Sequence, residues 1–334
     1  MKNQQVLIRR MPVGIPTVDD FELVERPAPT TPEPGGILVR TRWLSLDPYL
    51  RSLMSGRHFL RMPQPGEVMP ATSIAEVLAS RNDRFSVGDR VVLQTGLQSI
   101  ALSDGATAWK LHAAHAPEST ALGILGMPGM TAYFGLKETA QLRAGETVLV
   151  SAASGPVGSM VGQIARQRGA RSIGIAGSEE KCDWARTHAN FDACINYRTE
   201  DVGARLKALA SDGVDVFFDN TGGALQHLVI TGRHLAMKGR VILCGLIDQY
   251  SKQDPPPGPN LGALMACRGR IEPTIVYDYE HRRDEFMREV LPWHTAGKLA
   301  FIEDIASGIE NAAGQYCRLM RGENFGKSLV RLLW

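Results

Sequence analysis

The chain has 334 residues, of which 44% are hydrophobic and 22% are charged, values typical of a soluble globular protein with two domains. Its formal net charge is only +2, with 37 basic and 35 acidic residues, which argues against nucleic acid or an anionic membrane as the main partner. The N-terminal sequence lacks the apolar core of a secretory signal, and no segment approaches the ~20 apolar residues of a membrane helix, so we expect a cytoplasmic protein.

The first third of the chain predicts a β-rich domain. Short apolar runs alternate there with turns rich in Gly, Pro and Asp, a spacing typical of a small antiparallel, barrel-like domain. The predicted strands are Gln5–Arg9, Ile37–Leu46, Ile74–Leu78, Arg90–Leu93 and Ala108–His112.

From about Gly126 onward, strands alternate with helical segments. This rhythm predicts an α/β fold of the Rossmann type, a doubly wound parallel sheet with helices on both faces. The predicted strands are Val148–Ser151, Ser172–Ala176, Ala193–Tyr197, Val214–Asp219, Arg240–Cys244 and Ile271–Val276.

The end of the chain breaks this rhythm. A helix is predicted at Asn311–Met320 and a strand at Gly326–Leu332, with no further strand–helix unit. We expect both elements to return to the first domain and make it discontinuous. The predicted domains are therefore residues 1–125 with 298–334, which form the β-rich domain, and residues 126–297, which form the parallel-sheet domain.

The segment Thr147–Gly158 predicts a pyrophosphate-binding turn. An apolar strand runs into small residues and then into a helical pattern, so the N–H groups of a first helical turn face an anion. Gly155 allows the backbone to approach the phosphates, and Gly158 allows close packing of helix on strand. Because Ala153 replaces the first glycine of the usual G-x-G-x-x-G, the pattern is A-x-G-x-x-G. Small residues also close ordinary strand–helix turns, which is the alternative interpretation.

The next strand–helix unit indicates NADP rather than NAD. An NAD site normally carries Asp or Glu at the end of this strand, but Gly177 stands there, followed by Ser178 as a helix N-cap. Lys181 then lies in the first helical turn, where a cation opposes the helix dipole unless an anion such as a 2′-phosphate lies before it. Two alternatives stay open: Lys181 as a solvated surface residue, and Glu179 as a ligand of an NAD ribose.

The cysteine pattern predicts free thiols and no metal. Five cysteines occur without any C-x-x-C pair, and an odd number in such a chain is typical of a reducing compartment. Zinc sites draw on closely spaced ligands. The cysteines are Cys182, Cys194, Cys244, Cys267 and Cys317.

Six short motifs occur in a characteristic order and together resemble one protein family. They are Leu44-Ser-Leu-Asp-Pro-Tyr-Leu-Arg51, Gly126-Met-Pro-Gly-Met-Thr-Ala-Tyr-Phe-Gly135, the A-x-G-x-x-G turn, Ala176-Gly-Ser-Glu-Glu-Lys181, Phe218-Asp-Asn-Thr-Gly-Gly223 and Gly322-Glu-Asn-Phe-Gly-Lys327. The chain is similar to the zinc-independent branch of the medium-chain dehydrogenase/reductase superfamily. Within it, the resemblance is to prostaglandin reductase and the alkenal/enone double-bond reductases. The resemblance covers nearly the whole chain and implies a GroES-like fold for the β-rich, catalytic domain.

The resemblance implies an NADP site built from several segments. The pyrophosphate would be held by Gly155, Pro156, Val157 and Gly158, and the 2′-phosphate by Ser178 and Lys181. The adenosine end would lie against Tyr197, and the nicotinamide side would be lined by Asn220, Cys244, Tyr250 and Asn324. Asn220 as part of a turn and Tyr197 as a packing residue are the alternatives.

The resemblance also implies an apolar substrate cleft lined by Tyr49, Phe59 and Met130. Phe59 lies near the place where the family often has a tyrosine, and Pro70 replaces a glycine usual after Gly66-Glu-Val-Met69. The reaction type is therefore better supported than any single substrate. Asp47, Tyr49 and Arg51 are open to a second interpretation, in which they lock the floor of the cleft without touching substrate.

The chemistry that follows is NADPH-dependent reduction of a carbon–carbon double bond conjugated to a carbonyl, an oxidoreductase reaction on CH–CH donors. Without zinc, the negative charge left by hydride addition at the β-carbon must spread into an enolate, which needs only hydrogen-bond donors. Tyr250 is the predicted donor, with a ribose contact as its alternative role. The partners are small hydrophobic enals or enones. Pairing of the apolar edge strand Ile271–Val276 suggests a homodimer.

Two further functions stay open. An NADPH:quinone oxidoreductase on the same scaffold would use a similar site, because a quinone is itself a conjugated enone. A non-catalytic NADP-binding or sensor protein belongs to a different class, and it would not need Tyr250 or Asn324.

Overall fold

The computed structural model describes residues 2–112 and 115–334. Within these residues the strands are β1 (Lys2–Ile8), β2 (Phe21–Pro27), β3 (Ile37–Ser45), β4 (Thr72–Ser80), β5 (Arg90–Gln94), β6 (Ile100–Ser103), β7 (Trp109–Lys110), β8 (Thr147–Ser151), β9 (Arg171–Ala176), β10 (Ala193–Asn196), β11 (Val214–Asp219), β12 (Leu235–Leu243), β13 (Arg270–Pro273), β14 (Glu303–Ser307) and β15 (Lys327–Arg331). The α-helices are α1 (Tyr49–Met54), α2 (Met127–Phe134), α3 (Pro156–Gln167), α4 (Glu179–Thr187), α5 (Val202–Leu209), α6 (Gly223–Thr231), α7 (Ile247–Tyr250), α8 (Gly262–Cys267), α9 (Arg283–Thr295) and α10 (Ala312–Met320). In this part of the chain, every helix is too short or too polar to cross a lipid bilayer.

The chain divides into two compact units. Unit 1 comprises the described residues of Met1–Gly123 together with Tyr250–Gln253 and Glu303–Trp334. Unit 2 comprises Ile124–Gln249 and Asp254–Ile302. The last helix and strand, α10 and β15, thus lie in the same unit as the first third of the chain.

Unit 2 is built on a six-stranded parallel sheet. Its strand order is β10-β9-β8-β11-β12-β13, and all five neighbouring pairs are parallel. This is the order of a Rossmann fold, in which the chain starts at a central strand and reverses direction across the sheet between β8 and β11. The prediction of a doubly wound parallel sheet is confirmed.

The composition of these strands explains why they are central. Val148, Leu149 and Val150 of β8 are all fully buried, as expected for a parallel strand covered by helices on both faces. One apolar core packs α3 against the sheet through Met160 and Ile164. A second core is formed by Leu149 and other strand residues together with residues of α5 and α6. The carboxyl ends of the strands are left at one edge, where such sheets bind ligands.

Unit 1 is a largely antiparallel sheet domain, as predicted. Its seven-stranded sheet has the order β14-β15-β3-β4-β5-β7, with β6 also paired to β3, while β1 and β2 form a separate hairpin-like pair. Strand β3 pairs with β6 through its first half and with β15 through its second half. Register shifts in the β3–β4 ladder bend the sheet at this point. The β14–β15 pair is parallel, unlike the other pairs of this sheet.

The structure corrects three details of the predicted strands. The run Ile271–Val276 is a strand only as far as Pro273, because proline has no N–H for the ladder and a 3₁₀ turn follows. The run Ala108–His112 contributes only Trp109–Lys110. Strand β2 was not expected, since three of its seven residues are charged and most of them are exposed; it is the partner of β1.

Candidate functional site

The turn between β8 and α3 has the form that a pyrophosphate requires. Gly155 is the N-cap of α3, no side chain caps this helix end, and Pro156 occupies its first turn. A Cβ on Gly158 would overlap the carbonyl oxygen of Ala152, and a Cβ on Gly155 would lie 3.1 Å from the same oxygen. Gly155, Pro156 and Val157 are half-buried, so the turn keeps an accessible face. The residues present therefore fit an anion held by backbone N–H groups.

The end of β9 and the start of α4, together with Tyr197 after β10, form a second polar region, which we call the corner; it comprises Gly177, Ser178, Lys181 and Tyr197. Ser178 is the N-cap of α4, and its hydroxyl oxygen accepts a hydrogen bond from the backbone N–H of Lys181 at 3.3 Å. Lys181 lies in the first turn and is half-buried. A Cβ on Gly177 would lie 3.0 Å from the hydroxyl oxygen of Tyr197, which follows β10. The structure thus brings Gly177, Ser178 and Tyr197 together at adjacent strand ends.

Two contacts near this corner concern Glu179 and Tyr197. The carboxylate of Glu179 forms an ion pair with Arg186, which lies seven residues or about two helical turns later in α4, with a 2.8 Å separation. The guanidinium of Arg198 lies 5.9 Å from the centre of the Tyr197 ring, and the Tyr197 side chain remains about half exposed. Glu179 is therefore already engaged, whereas the Tyr197 phenol is accessible beside a cation.

The end of β11 is organised by Asp219, which the sequence analysis did not single out. One of its carboxylate oxygens accepts hydrogen bonds from the Ser151 hydroxyl and from the backbone N–H groups of Thr221 and Gly222, at 3.0–3.1 Å. The other accepts from the amide of Gln226 at 2.9 Å. A buried strand ending in Asp before Asn-Thr-Gly-Gly was the available signal for this role. Asp219 holds the turn that carries Asn220.

Asn220 is buried and joins two strand ends. Its side-chain amide donates to the carbonyl oxygen of Ser151 at 2.8 Å, and its backbone N–H donates to the Ser151 hydroxyl at 2.8 Å. These contacts agree with the alternative role in which Asn220 stabilises the turn. A role toward nicotinamide stays a prediction.

The segment that follows β12 packs on the same turn. The backbone N–H of Cys244 donates to the carbonyl oxygen of Asp219 at 2.9 Å. Gly222 and Gly223 have φ values of +67° and +63°, and a Cβ on either would collide with Leu246 or Asp248 of the segment. Burial raises the pKa of the Cys244 thiol to about 12, so this thiol stays protonated at neutral pH. Cys244 is therefore an uncharged, partly buried residue directly after β12.

Tyr250 ends α7, is half-buried and belongs to unit 1. The residues just after it are held by Arg57, a contact that sequence reasoning missed. The Arg57 guanidinium donates to the carbonyl oxygens of Lys252 and Gln253 at 2.7 and 2.6 Å. No local pattern signals this interaction, because the partners are about two hundred residues apart in sequence.

In unit 1, two motifs of the sequence analysis are joined by a buried ion pair. The ammonium group of Lys327 lies 2.6 Å from a carboxylate oxygen of Asp47, and both side chains are more than nine-tenths buried. Lys327 also donates to the carbonyl oxygen of Leu46, and Ser45 donates to Asp47. The Asp-Pro-Tyr and Gly-Glu-Asn-Phe-Gly-Lys segments are therefore fixed to each other by this ion pair.

Arg51 likewise serves the structure of unit 1. It is buried, and its guanidinium donates to the carbonyl oxygens of Pro12 and Gly14 at 2.9 and 3.1 Å. Asn324 is half-buried, and its side-chain amide donates to the carbonyl oxygen of Gly326 at 2.8 Å. Asn324 therefore lies three residues before Lys327 of the buried ion pair, in a segment held by its own side-chain hydrogen bond.

The predicted substrate residues fall into two groups. The rings of Tyr49 and Phe59 both lie near that of His58, with centroids 5.6 and 4.4 Å from it, and Phe59 is 64% exposed. Partial burial lowers the pKa of His58, which favours its neutral form. Met130, in contrast, has no exposed surface and packs in the core of unit 2. Its side chain offers no surface to a substrate in this structure, so packing accounts for it.

Comparison with known proteins places these features in a family. Residues 4–111 match the model described as the N-terminal domain of oxidoreductase, and residues 156–294 match the model described as zinc-binding dehydrogenase. The chain is 37% identical to NADPH-dependent curcumin reductase of Escherichia coli strain K12, over 99% of this chain and 97% of the relative. The chain belongs to the medium-chain dehydrogenase/reductase superfamily.

Two other members of this superfamily are similar over nearly their whole lengths. The NADP⁺-dependent 2-alkenal reductase of Nicotiana tabacum is 36% identical over 99% of this chain and 97% of the relative. The crystal structure of CurA from Vibrio vulnificus in complex with NADPH superposes with a TM-score of 0.92, at 38% identity and 99% coverage of both chains. In residues 2–112 and 115–334 of our chain, no group of three or more His, Cys, Asp or Glu side chains is arranged to hold a metal ion.

Proposed function

We propose that the chain reduces the carbon–carbon double bond of α,β-unsaturated aldehydes and ketones, with NADPH as the hydride donor. The substrate class follows from its similarity to the 2-alkenal and curcumin reductases. The observation that carries the cofactor assignment is the end of β9, where a glycine lies beneath a tyrosine hydroxyl in the place of an acidic residue.

This corner of unit 2 suits a 2′-phosphate better than a ribose hydroxyl. A carboxylate at position 177 would need the space that the Tyr197 hydroxyl now occupies, 3.0 Å from the hypothetical Cβ. Ser178 and Lys181 lie at the start of α4, where helix N–H groups favour an anion. The ion pair of Glu179 with Arg186 competes with its use as a ribose ligand. These features support Ser178 and Lys181 as the 2′-phosphate ligands, with Tyr197 at the adenosine end.

The pyrophosphate is assigned to the turn before α3. Gly155, Pro156, Val157 and Gly158 present an uncapped first helical turn, and the two glycines keep its backbone free of side-chain atoms. Cys244 and Asn220 are assigned to the nicotinamide side from their positions after β12 and β11. Asn324 is assigned to the carboxamide through its motif alone.

The reaction places negative charge on the substrate, and we propose that Tyr250 stabilises it. When bound, NADPH supplies a hydride to the β-carbon. A conjugated carbonyl spreads the resulting charge into an enolate, and a neutral phenol, of pKa about 10, donates a hydrogen bond to its oxygen or relays a proton to the α-carbon. Arg57 holds the segment after Tyr250 through two backbone carbonyls, and we regard it as a positioning residue.

An apolar site would favour hydrophobic enones, and Tyr49 and Phe59 are the residues we assign to it. Both rings lie next to His58, whose neutral form adds no charge beside an apolar ligand. We further propose that the reaction proceeds without zinc, because the five cysteines are free thiols in positions that do not form a ligand cluster. Metal analysis of the purified protein checks this, and one tightly bound zinc per chain would contradict it.

Three further features complete the proposal. The edge position of β13 in the six-stranded sheet supports a homodimer formed by pairing of this strand with its copy. Free cysteines support a reducing compartment, and we propose the cytoplasm. We propose residues 126–297 as the NADP-binding domain and residues 1–125 with 298–334 as the catalytic domain.

A screen of NADPH oxidation with enals, enones and quinones of graded size tests the reaction class. We expect turnover with hydrophobic enones and slower turnover with quinones of the same size. Turnover with quinones alone would favour the NADPH:quinone oxidoreductase. NADPH binding without turnover of any acceptor would favour a non-catalytic NADP-binding protein.

A further inference from the structure

Two buried thiols of unit 2 face each other in the structure. Cys182 lies one turn into α4, Cys194 lies in β10, and their sulfur atoms are 3.2 Å apart. Both are free cysteines, and both are at most 2% exposed. Cys244, Cys267 and Cys317 lie after β12, at the end of α8 and in α10. The chain therefore places two of its five thiols in direct contact across twelve positions of sequence.

The pair lies next to the pyrophosphate-binding turn. A Cβ on Gly174 of β9 would lie 3.1 Å from the sulfur of Cys194 and 2.7 Å from the Cβ of Ala153. Only a glycine therefore separates this thiol from the first residue of the A-x-G-x-x-G turn. A larger residue at position 174 would push the thiol or the turn away.

The two thiols differ in their electrostatic surroundings. The Cys194 thiol donates a hydrogen bond to the sulfur of Cys182, which lowers the pKa of Cys182, and the position near the helix N-terminus also favours a thiolate. The same hydrogen bond, with burial, raises the pKa of Cys194. Cys182 is thus the better nucleophile, and Cys194 keeps its proton.

We propose that Cys182 and Cys194 form a reversible disulfide when the protein reacts with a hydroperoxide. The Cys182 thiolate attacks the peroxide; a sulfur–oxygen bond forms, the oxygen–oxygen bond breaks, and the departing oxygen takes a proton to leave as water or an alcohol. The Cys194 sulfur then attacks the sulfenic acid of Cys182, the sulfur–sulfur bond forms, and water leaves with the Cys194 proton. The two thiols lose two electrons, and the peroxide gains them.

The bond would change the geometry of the corner described above. A disulfide has a sulfur–sulfur distance of about 2.05 Å, so the two atoms must approach by roughly 1.2 Å from their 3.2 Å separation. This movement draws the start of α4, with Ser178 and Lys181, toward the strand that leads to Tyr197. The disulfide would thus link α4 covalently to β10, the strand that leads to Tyr197.

The test is oxidation of the folded, full-length protein with hydrogen peroxide, followed by unfolding, alkylation of remaining thiols and mass spectrometry. We expect the thiol count to fall from five to three, a peptide that links Cys182 to Cys194, and recovery of all thiols with dithiothreitol. Five retained thiols, under conditions that oxidise an exposed cysteine of a reference protein, would overturn the proposal. A link between any other pair would also overturn it.

Variants assign the order of the steps. In Cys194→Ser, dimedone should trap a sulfenic acid on Cys182, whereas in Cys182→Ser the trapped fraction should be much smaller. Cys317→Ser is the matched control, because Cys317 is equally buried on another element, and it should form the disulfide normally. Alanine versions of both variants replace the serines if a buried hydroxyl prevents folding. Trapping on Cys194 instead of Cys182 would refute the assigned order.

One consequence rests on the proposed function. We expect the oxidised protein to bind NADPH roughly tenfold more weakly than the reduced protein, since a displaced cation loses part of a charge-assisted contact. NADH binding should change little. If the disulfide forms and the two cofactors weaken equally, the 2′-phosphate assignment is wrong while the modification site stands.

Discussion

The strand ends of unit 2 and residues 44–60 of unit 1 both carry motifs of the family, but their polar residues have different roles. In unit 2, glycines keep the turn before α3 open, and Gly177 and Tyr197 meet at adjacent strand ends, next to the helix N-cap Ser178. In unit 1, Asp47 and Arg51 are both buried. Asp47 accepts a hydrogen bond from Lys327, and Arg51 donates to two backbone carbonyl oxygens. A polar residue in a family motif can therefore stabilise the fold instead of binding a ligand.

The difference follows from how each region is built. A strand, a turn and a helix within twelve residues create an anion site from backbone N–H groups, so the local sequence is sufficient. The Asp47–Lys327 pair joins residues 280 positions apart, and its role depends on burial that only the folded unit provides. We expect substitutions in unit 2 to change cofactor binding, and substitutions of the unit 1 pair to change stability.

The largest effect on binding is expected for Gly158→Ala. Its Cβ would overlap the carbonyl oxygen of Ala152, so the turn must shift, at a cost of about 1–3 kcal/mol in unfolding free energy. NADPH binding, measured by fluorescence titration, should be lost. Gly258→Ala is the control, because nothing lies within 4 Å of a Cβ there, and it should bind normally. Normal binding by Gly158→Ala would contradict the role of the turn.

Asp47→Asn is expected to cost about 3–5 kcal/mol of unfolding free energy, because it leaves the buried Lys327 charge without its partner. The double variant Asp47→Asn/Lys327→Met should recover much of this loss in urea denaturation. Lys2→Ala removes an exposed ion pair with the same 2.6 Å separation, and its denaturation midpoint should barely move. Equal effects in the buried and exposed pairs would show that burial is not the cause.

Tyr250→Phe keeps the ring and removes only the hydroxyl. If the phenol stabilises the enolate or relays its proton, kcat with a good enone should fall about 100-fold while NADPH affinity stays nearly intact. Tyr279→Phe is the control, since Tyr279 stacks on Phe134 in unit 2 at 4.7 Å. Weaker NADPH binding with an unchanged kcat would instead assign Tyr250 to the ribose.

Lys181→Ala sharpens the cofactor assignment. Loss of a charge-assisted contact worth ~1.5–3 kcal/mol should weaken NADPH binding by roughly ten- to a hundredfold, while NADH binding changes little. Lys207→Ala, an exposed lysine of α5, serves as the control. An equal loss for both cofactors, or no loss for either, would remove Lys181 from the 2′-phosphate site.

Several features of the fold were accessible from sequence because they are local. Val148–Val150 is a continuous apolar run before small residues, and it is a buried parallel strand in the structure. The end of Ile271–Val276 at Pro273 is also explained locally, by the missing N–H. Strand β2 was hidden because its charged residues face solvent and only the pairing with β1 defines it.

The site was less accessible where contacts are long-range. Asp219 could have been recognised from its place at the end of a buried strand. Arg57, which holds Lys252 and Gln253, could not, because no periodicity links residues so far apart. Met130 was expected to line the substrate cleft from its motif, but burial in the core of unit 2 depends on packing that a motif does not report.

The central claim is hydride transfer from NADPH to the β-carbon of a conjugated carbonyl compound. The most direct test uses NADPH deuterated at both C4 positions of the nicotinamide, an open-chain enone and NMR of the product. We expect the saturated ketone with deuterium on the former β-carbon. An allylic alcohol with deuterium on the former carbonyl carbon would contradict the account.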